Sequence, residues 1–285
     1  MVDGSARDPD AAIAAVHDAD YITRFHRAAA RGDGMLDAAD NPLSGLATWD
    51  AARAAVAAAL DAADAVIDDG GGTFVAVRPP GHHAERDHAM GFCFFNTVAC
   101  VAQHLRDARG LDRVAIVDLD VHHGNGTQHL FERDPNVLFV SLHQHPLYPG
   151  TGLADERGRG DGVGATCNVP LAAGADDAVY ADALATHVDP VLADFKPEIL
   201  LISLGFDVWQ HDLLGGMRVT EAGYASWGRW ARAQADALCA GRALTLVEGG
   251  YDVSALGALA VAYACGFDEG GDFEEDQKTE EDRTD

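Results

Sequence analysis

Five short aliphatic or β-branched runs, each set apart by an Ala-rich segment of helical character, constrain this chain more than any other feature. The runs are residues 73–77, 113–118, 136–142, 198–204 and 243–247. The Ala-rich segments are 47–69, 96–109, 176–195, 220–240 and 253–265, with Asp or Thr near several starts suited to cap them. Such runs, alternating with helices, predict an α/β domain with a central, mainly parallel sheet covered on both faces. The chain has 285 residues, and its motifs fit one domain over 1–267. Gly70-Gly71-Gly72 precedes a strand instead of joining a strand to a helix, so it is no dinucleotide fingerprint. Residues 1–20 read as loosely ordered and 268–285 as a disordered acidic tail.

Composition narrows the function classes. Hydrophobic residues make up 48% of the chain, a globular proportion. The formal charge of −26 argues against binding a nucleic-acid backbone, which needs Lys and Arg clusters. With lysine only at 196 and 278 and acid spread along the chain, the balance suits a salt-loaded, halophilic cytoplasm where repulsion is screened. No apolar run of about 18 residues predicts a membrane span. The first residues carry no basic-then-apolar leader, so a cytoplasmic location is expected. Cys93, Cys100, Cys167, Cys239 and Cys265 form no C-x-x-C pair and read as reduced, buried thiols.

In an open α/β sheet, ligands bind beyond the carboxyl ends of the strands. At or just beyond the ends of the five runs lie Arg78-Pro79-Pro80-Gly81-His82-His83, Asp118-Leu119-Asp120-Val121-His122-His123, Ser141-Leu142-His143, Gly205-Phe206-Asp207 and Glu248-Gly249-Gly250-Tyr251. Turn chemistry supplies Gly, Asn and Ser at such places, but not two histidine doublets. Side chains at i, i+2 and i+4 of an extended segment share a face, which predicts Asp118, Asp120 and His122 on one side. Crowded carboxylates repel unless a cation lies between them. Asp207 can complete a set with Asp120 and His122, leaving an open position as in a catalytic metal site. The competing reading makes these acids solvated turn residues, which is weak for Asp120 and His122 and much stronger for Asp207 taken alone. Of His82 and His83, one imidazole can serve as general base and the other needs a carboxylate to set its tautomer. A lone histidine is more often a core residue bonded to a carbonyl. Tyr251 suits either an oxyanion donor or loop packing.

The segments RPPGHHA at 78–84, MGFCFFN at 90–96, VDLDVHHGNGTQ at 117–128, SLHQHPLYPGTG at 141–152, SLGFD at 203–207 and EGGYD at 248–252 closely resemble the histone deacetylase family. The Asn125, GFD and EGGY forms resemble its class II branch and the prokaryotic deacetylases and acetoin-utilisation-type proteins. The resemblance implies the single-domain arginase/deacetylase fold, with the active site at the strand ends. It implies Zn2+ on Asp120, His122 and Asp207, with Fe2+ or Co2+ as alternatives suited to the same ligands. It implies His83 as general base and then acid, His82 as its electrostatic partner on Asp118, and Asn125 in the place of the second dyad partner. Asn125 adds no charge and should leave His83 less basic than an Asp would. Tyr251 would polarise the acyl carbonyl. A structural K+ would sit on Asp118, Ser141 and the backbone carbonyls of Asp120, His122 and Leu142. Phe92 and Tyr148 would wall a tunnel for the apolar stem of acetyl-lysine, and the Gly91 carbonyl would accept the substrate N–H. Leu214 occupies the position of an acidic gatekeeper in polyamine-selective relatives. Cys93 reads as packing, and His88 and His104 as surface residues.

The family's usual first strand and HPE-type arginine loop have no counterpart, so the expectation is either a missing first strand or a chain that starts late. Leu213 replaces a usual Pro, and the rim around 40–44 matches nothing. The expected activity is zinc-dependent removal of acetyl or longer acyl groups from lysine side chains of proteins through an activated water. The alternatives are a deacetylase of small amines or polyamines, and a non-catalytic acyl-lysine binder. A binuclear manganese ureohydrolase would need further acidic ligands that the chain lacks.

Overall fold

Buried aliphatic runs become the strands of one six-stranded parallel sheet, in the order β1-β6-β5-β2-β3-β4. The structure is a computed structural model that describes residues 7–32 and 34–281, with side chains to residue 270. The strands are β1 (Gly72–Val75), β2 (Val114–Asp118), β3 (Val137–Gln144), β4 (Thr166–Leu171), β5 (Ile199–Leu204) and β6 (Ala243–Val247). All five expected strands are present. The sixth, β4, pairs only with β3 at the sheet edge. Its Asn168 and Pro170 are poor strand formers, and an edge is where a proline is tolerated.

Alternate residues of each strand feed opposite faces. Val114, Ile116, Ile199 and Leu201 join the core under helices α1 (Asp10–Val16), α2 (Ala19–Arg31), α3 (Leu46–Asp69) and α4 (Thr97–Arg109). Ala115, Val117, Leu200 and Ile202 join the second core. That core lies under α6 (Asp177–Ala183), α7 (Asp189–Phe195), α8 (Glu221–Cys239) and α9 (Leu256–Glu281). The short α5 (Asn125–Phe131) follows the rim beyond β2. Side chains of Asp176 and Thr220 accept backbone N–H bonds at the starts of α6 and α8, as the sequence predicts, and Asn96 does the same for α4. The expected single helix over 176–195 is instead α6 and α7 joined by a wider π-type turn, Leu184–Val188. Pro190, at the start of α7, has no N–H to continue the regular ladder.

Residues 1–20 are not loosely ordered where they are described. Helix α1 buries Ile13 and Val16, and α2 buries Tyr21 and Phe25 beneath it. His17, between the two, has its Nδ1 2.8 Å from the Glu85 carbonyl, and its Nε2 accepts from the Asn96 N–H. Helix α9 runs on past the expected 265, so the acidic segment 268–285 begins inside it; residues 282–285 lie outside the described residues. Among the described residues no strand precedes β1, and no helix is long and apolar enough to cross a membrane.

From β2 the chain lays β3 and β4 to one side, and then β5 and β6 to the other. The order therefore reverses between β2 and β5. Loops diverge at such a switch point and open a crevice at the carboxyl ends of the strands.

Candidate active site

The crevice gathers the chemical groups. Asp120 and His122 follow β2, Asp207 follows β5, and the three donor atoms lie within 4.8 Å of one another in buried surroundings. His122 Nδ1 is 3.0 Å from Asp120 Oδ1 and 3.2 Å from Asp207 Oδ2. Ligand atoms on a tetrahedral zinc with bonds of about 2.0–2.2 Å sit about 3.3 Å apart, so the spacing fits a shared ion. Asp207 Oδ2 is buried and accepts no hydrogen bond. Such an orphaned carboxylate oxygen is costly without a cation. Backbone N–H groups hold the rest of the set, with Gly249 donating to Asp120 Oδ2 at 2.8 Å and Val121 to Asp207 Oδ1 at 3.0 Å.

Electrostatics agree with a cation-seeking centre. Burial opposes a charged His122, but the Asp120 and Asp207 carboxylates outweigh it and raise its pKa to about 10. Burial and then the neighbouring Asp120 charge push Asp207 up to about 6. Burial opposes ionisation of Asp120 as well, yet His82 and His122 hold it well below the usual carboxylate range. Two carboxylates and an imidazole suit zinc and equally Fe2+ or Co2+.

Asp118 does not face this centre as strand alternation predicts. Extended geometry stops at Asp118, the last residue of β2. Its Oδ2 lies 2.9 Å from His82 Nδ1, the pairing that the resemblance implies. The His82 and His83 rings pack against each other in a tilted arrangement, 4.0 Å between centroids and 41° between planes. His83 Nδ1 lies 2.7 Å from Asn125 Oδ1. Burial lowers the His82 pKa, but Asp118, Asp120 and Glu248 together raise it well above the usual imidazole value. His83 goes the other way, held well below that value by burial and then by His82. The rigid 78–83 segment is pinned by Glu248, whose Oε2 accepts from the Gly81 and His82 N–H groups at 2.7 and 3.1 Å.

A cavity of about 280 Å³ opens over these groups, lined by Asp40, His83, Gly91, Phe92, His122, Leu147, Tyr148, Leu214 and Tyr251. Tyr148 meets the His83 ring edge-to-face, with centroids 5.2 Å apart. Phe92 lies 6.0 Å from the Tyr251 ring. Phe92 has φ of 65°, in the left-handed region that a bulky residue seldom adopts, and so carries local strain at the cavity wall. Burial and then the Asp120 and Asp207 charges raise the Tyr251 phenol above its usual range. Asp212 fixes the tyrosine's loop by accepting from the Tyr251 and Asp252 N–H groups at 2.7 and 3.2 Å. Leu214 is half-exposed at the mouth. Ser141, a register partner of Asp118, is buried with its hydroxyl 2.9 Å from His143 Nδ1.

Several contributors escaped the sequence reading. Glu248 heads EGGY and Glu85 follows the first histidine doublet, but nothing in a sequence separates a pinning carboxylate from a solvated one. Asp40, on the unmatched rim, accepts from the Tyr148 hydroxyl at 2.9 Å. Two smaller expectations fail. The His104 side chain is only 11% exposed and pairs with Asp64 within a cluster of charged side chains, so it is no surface residue. Cys93, Cys100 and Cys239 are buried thiols, but Cys265, on an outer face of α9, is exposed.

A Cβ at Gly249 would sit 2.1 Å from Asp207 Oδ2 and 2.7 Å from Asp120 Oδ2. Gly249→Ala is therefore expected to weaken divalent-metal affinity by at least about tenfold, read by titrating the metal-free chain with zinc. Unchanged affinity would place the ion elsewhere.

The family model described as histone deacetylase domain matches residues 5–266. A probable deacetylase of Archaeoglobus fulgidus is 40% identical over 260 residues, covering 89% of this chain and 71% of the relative. Among solved structures, the HDA15 HD domain superposes with a TM-score of 0.82 at 36% identity, over 92% of this chain and 74% of that one. The acetylpolyamine aminohydrolase of Burkholderia pseudomallei gives 0.79 at 35% identity, over 90% and 82%. The order of the strands, the groups they deliver to the switch point and the extent of these matches place the chain in the histone deacetylase domain family.

Proposed function

We propose that the chain is a metal-dependent amidohydrolase that removes acetyl or longer acyl groups from lysine side chains of proteins. One observation carries this reading. A three-residue donor set with an orphaned carboxylate oxygen presents its His122 beside the buried, neutral-tending His83 on the lining of one cavity with aromatic walls. A divalent ion bound by Asp120, His122 and Asp207 would supply Lewis-acid polarisation of an acyl carbonyl and lower the pKa of water. The residues supply the rest. His83, kept neutral, accepts the water proton at Nε2 and returns it to the departing amine. His82, bonded to Asp118, holds the neighbouring positive charge that keeps His83 uncharged before reaction. Tyr251 keeps its proton and donates it in a hydrogen bond to the oxygen where negative charge develops. Phe92 and Tyr148 enclose the uncharged side-chain stem, and the Gly91 carbonyl orients the scissile N–H. For the monovalent cation we assign Asp118, Ser141 and the carbonyls of Asp120, His122 and Leu142, a set of oxygen donors that suits a hard ion.

The apolar Leu214 at the mouth supports acyl-lysine over a polycationic amine. A binding-only role has no observation in its favour, since the donor set, both histidines and Tyr251 are all present. Hydrolysis profiled across acyl-lysine peptides and acetylpolyamines at high KCl tests the reading. Peptide turnover abolished by a chelator and restored by zinc is expected. A kcat/KM at least about tenfold higher for an acetylpolyamine would move the substrate to small amines, since tenfold is 1.4 kcal/mol of discrimination.

A further inference from the structure

The carboxylate of Glu85 stands directly behind the His83–Asn125 pair, and the mechanism above leaves it without a task. Asn125 Nδ2 donates to Glu85 Oε1 at 2.8 Å, while Asn125 Oδ1 lies 2.7 Å from His83 Nδ1. The second Glu85 oxygen pairs with His129 Nδ1. Its backbone is tied on both sides, by its own N–H donating to the His88 carbonyl at 3.0 Å and by its carbonyl against His17 Nδ1. The side chain is 16% exposed, and Asn125 is buried.

We propose that Glu85 is a positioning residue that locks the Asn125 amide, and through it the tautomer of His83. The proposal rests on the hydrolase reading for its catalytic consequence. An ionised carboxylate accepts only, so the Asn125 amide must turn its NH2 towards Glu85. The amide oxygen is then left facing His83, whose Nδ1 must carry the hydrogen. The lone pair of His83 is thereby confined to Nε2. A flipped amide would set two acceptor oxygens against each other at Glu85 and present an N–H to His83 Nδ1. That arrangement selects the tautomer protonated at Nε2, which cannot accept a proton there. The remaining acceptors for Nδ2, Met90 Sδ at 3.2 Å and the His83 carbonyl at 3.5 Å, are weaker or longer. Glu85 thus orients the base through a neutral amide, where a second Asp would have oriented it directly.

The test uses the zinc-loaded full chain with 15N-labelled histidine, in wild type, Glu85→Ala, Glu85→Met and Glu85→Gln forms. In wild type, His83 is expected as the Nδ1–H tautomer. Ala and Met, which lack a strong acceptor, should give a mixture of tautomers. On an acetyl-lysine peptide they should lower kcat by about tenfold, a fraction of what a general base contributes, with KM within about twofold and zinc content unchanged. Gln, which can still accept from Asn125, should keep the wild-type tautomer and most of kcat. A pure Nδ1–H tautomer in both Ala and Met would overturn the proposal, as would Gln behaving like Ala. If no form hydrolyses the peptide, the hydrolase reading fails, and the tautomer spectra still decide what Glu85 does.

Discussion

Replacing His83 by alanine is expected to lower kcat for an acetyl-lysine peptide by on the order of 10²–10⁴, the usual contribution of a positioned proton acceptor. Metal content should not change, because His83 lies outside the Asp120, His122 and Asp207 donor set. The same cluster supports His83, and not His82, as the proposed base. The two rings are in contact, but Asp118 holds one of them and a neutral amide the other. Charge therefore collects on His82, and burial keeps His83 neutral and able to take a proton. Steady-state kinetics with metal analysis on the same sample checks this. A loss of less than tenfold at unchanged metal content would assign the proton transfer to another group.

The second large effect is expected at Tyr251. Tyr251→Phe removes one hydroxyl from the cavity wall and should cut kcat by on the order of 10²–10³ with little change in KM, as for other single oxyanion donors. Its phenol titrates above the usual range, so the donor proton is present throughout the working pH. Asp212 holds the loop through the Tyr251 and Asp252 N–H groups, so the phenylalanine variant keeps its backbone contacts and the loss reports the hydroxyl alone. Unchanged turnover would remove Tyr251 from the mechanism.

The strands that could be read from the sequence are the buried ones. β2, β3 and β5 are buried along their whole length, so their residues are mostly aliphatic and stand out against Ala-rich helices. β4 escaped because an edge strand tolerates Asn168 and Pro170, which remove the signal. α1 escaped because a seven-residue helix offers only Ile13 and Val16 to the core. Asp120, His122 and Asp207 could be read because a strand end is a defined place in the fold, and paired histidines are foreign to turns. The direction of Asp118 could not, since alternation holds only while the backbone stays extended. Glu85, Asp212 and Glu248 were illegible for a different reason. Their meaning comes from the N–H groups they face, and those belong to residues far away in sequence. Glu248 shows the consequence, since burial followed by the opposing pull of His82 leaves its pKa at about 7.

Asp120, His122 and Asp207 are expected to cage one divalent ion. This is tested most directly by titrating the metal-free full chain with zinc, beside its Asp207→Ala variant. One zinc per chain in the wild type, with binding lost in the variant, is the expected result. Two equivalents per chain, or a variant that binds as tightly as the wild type, would contradict it.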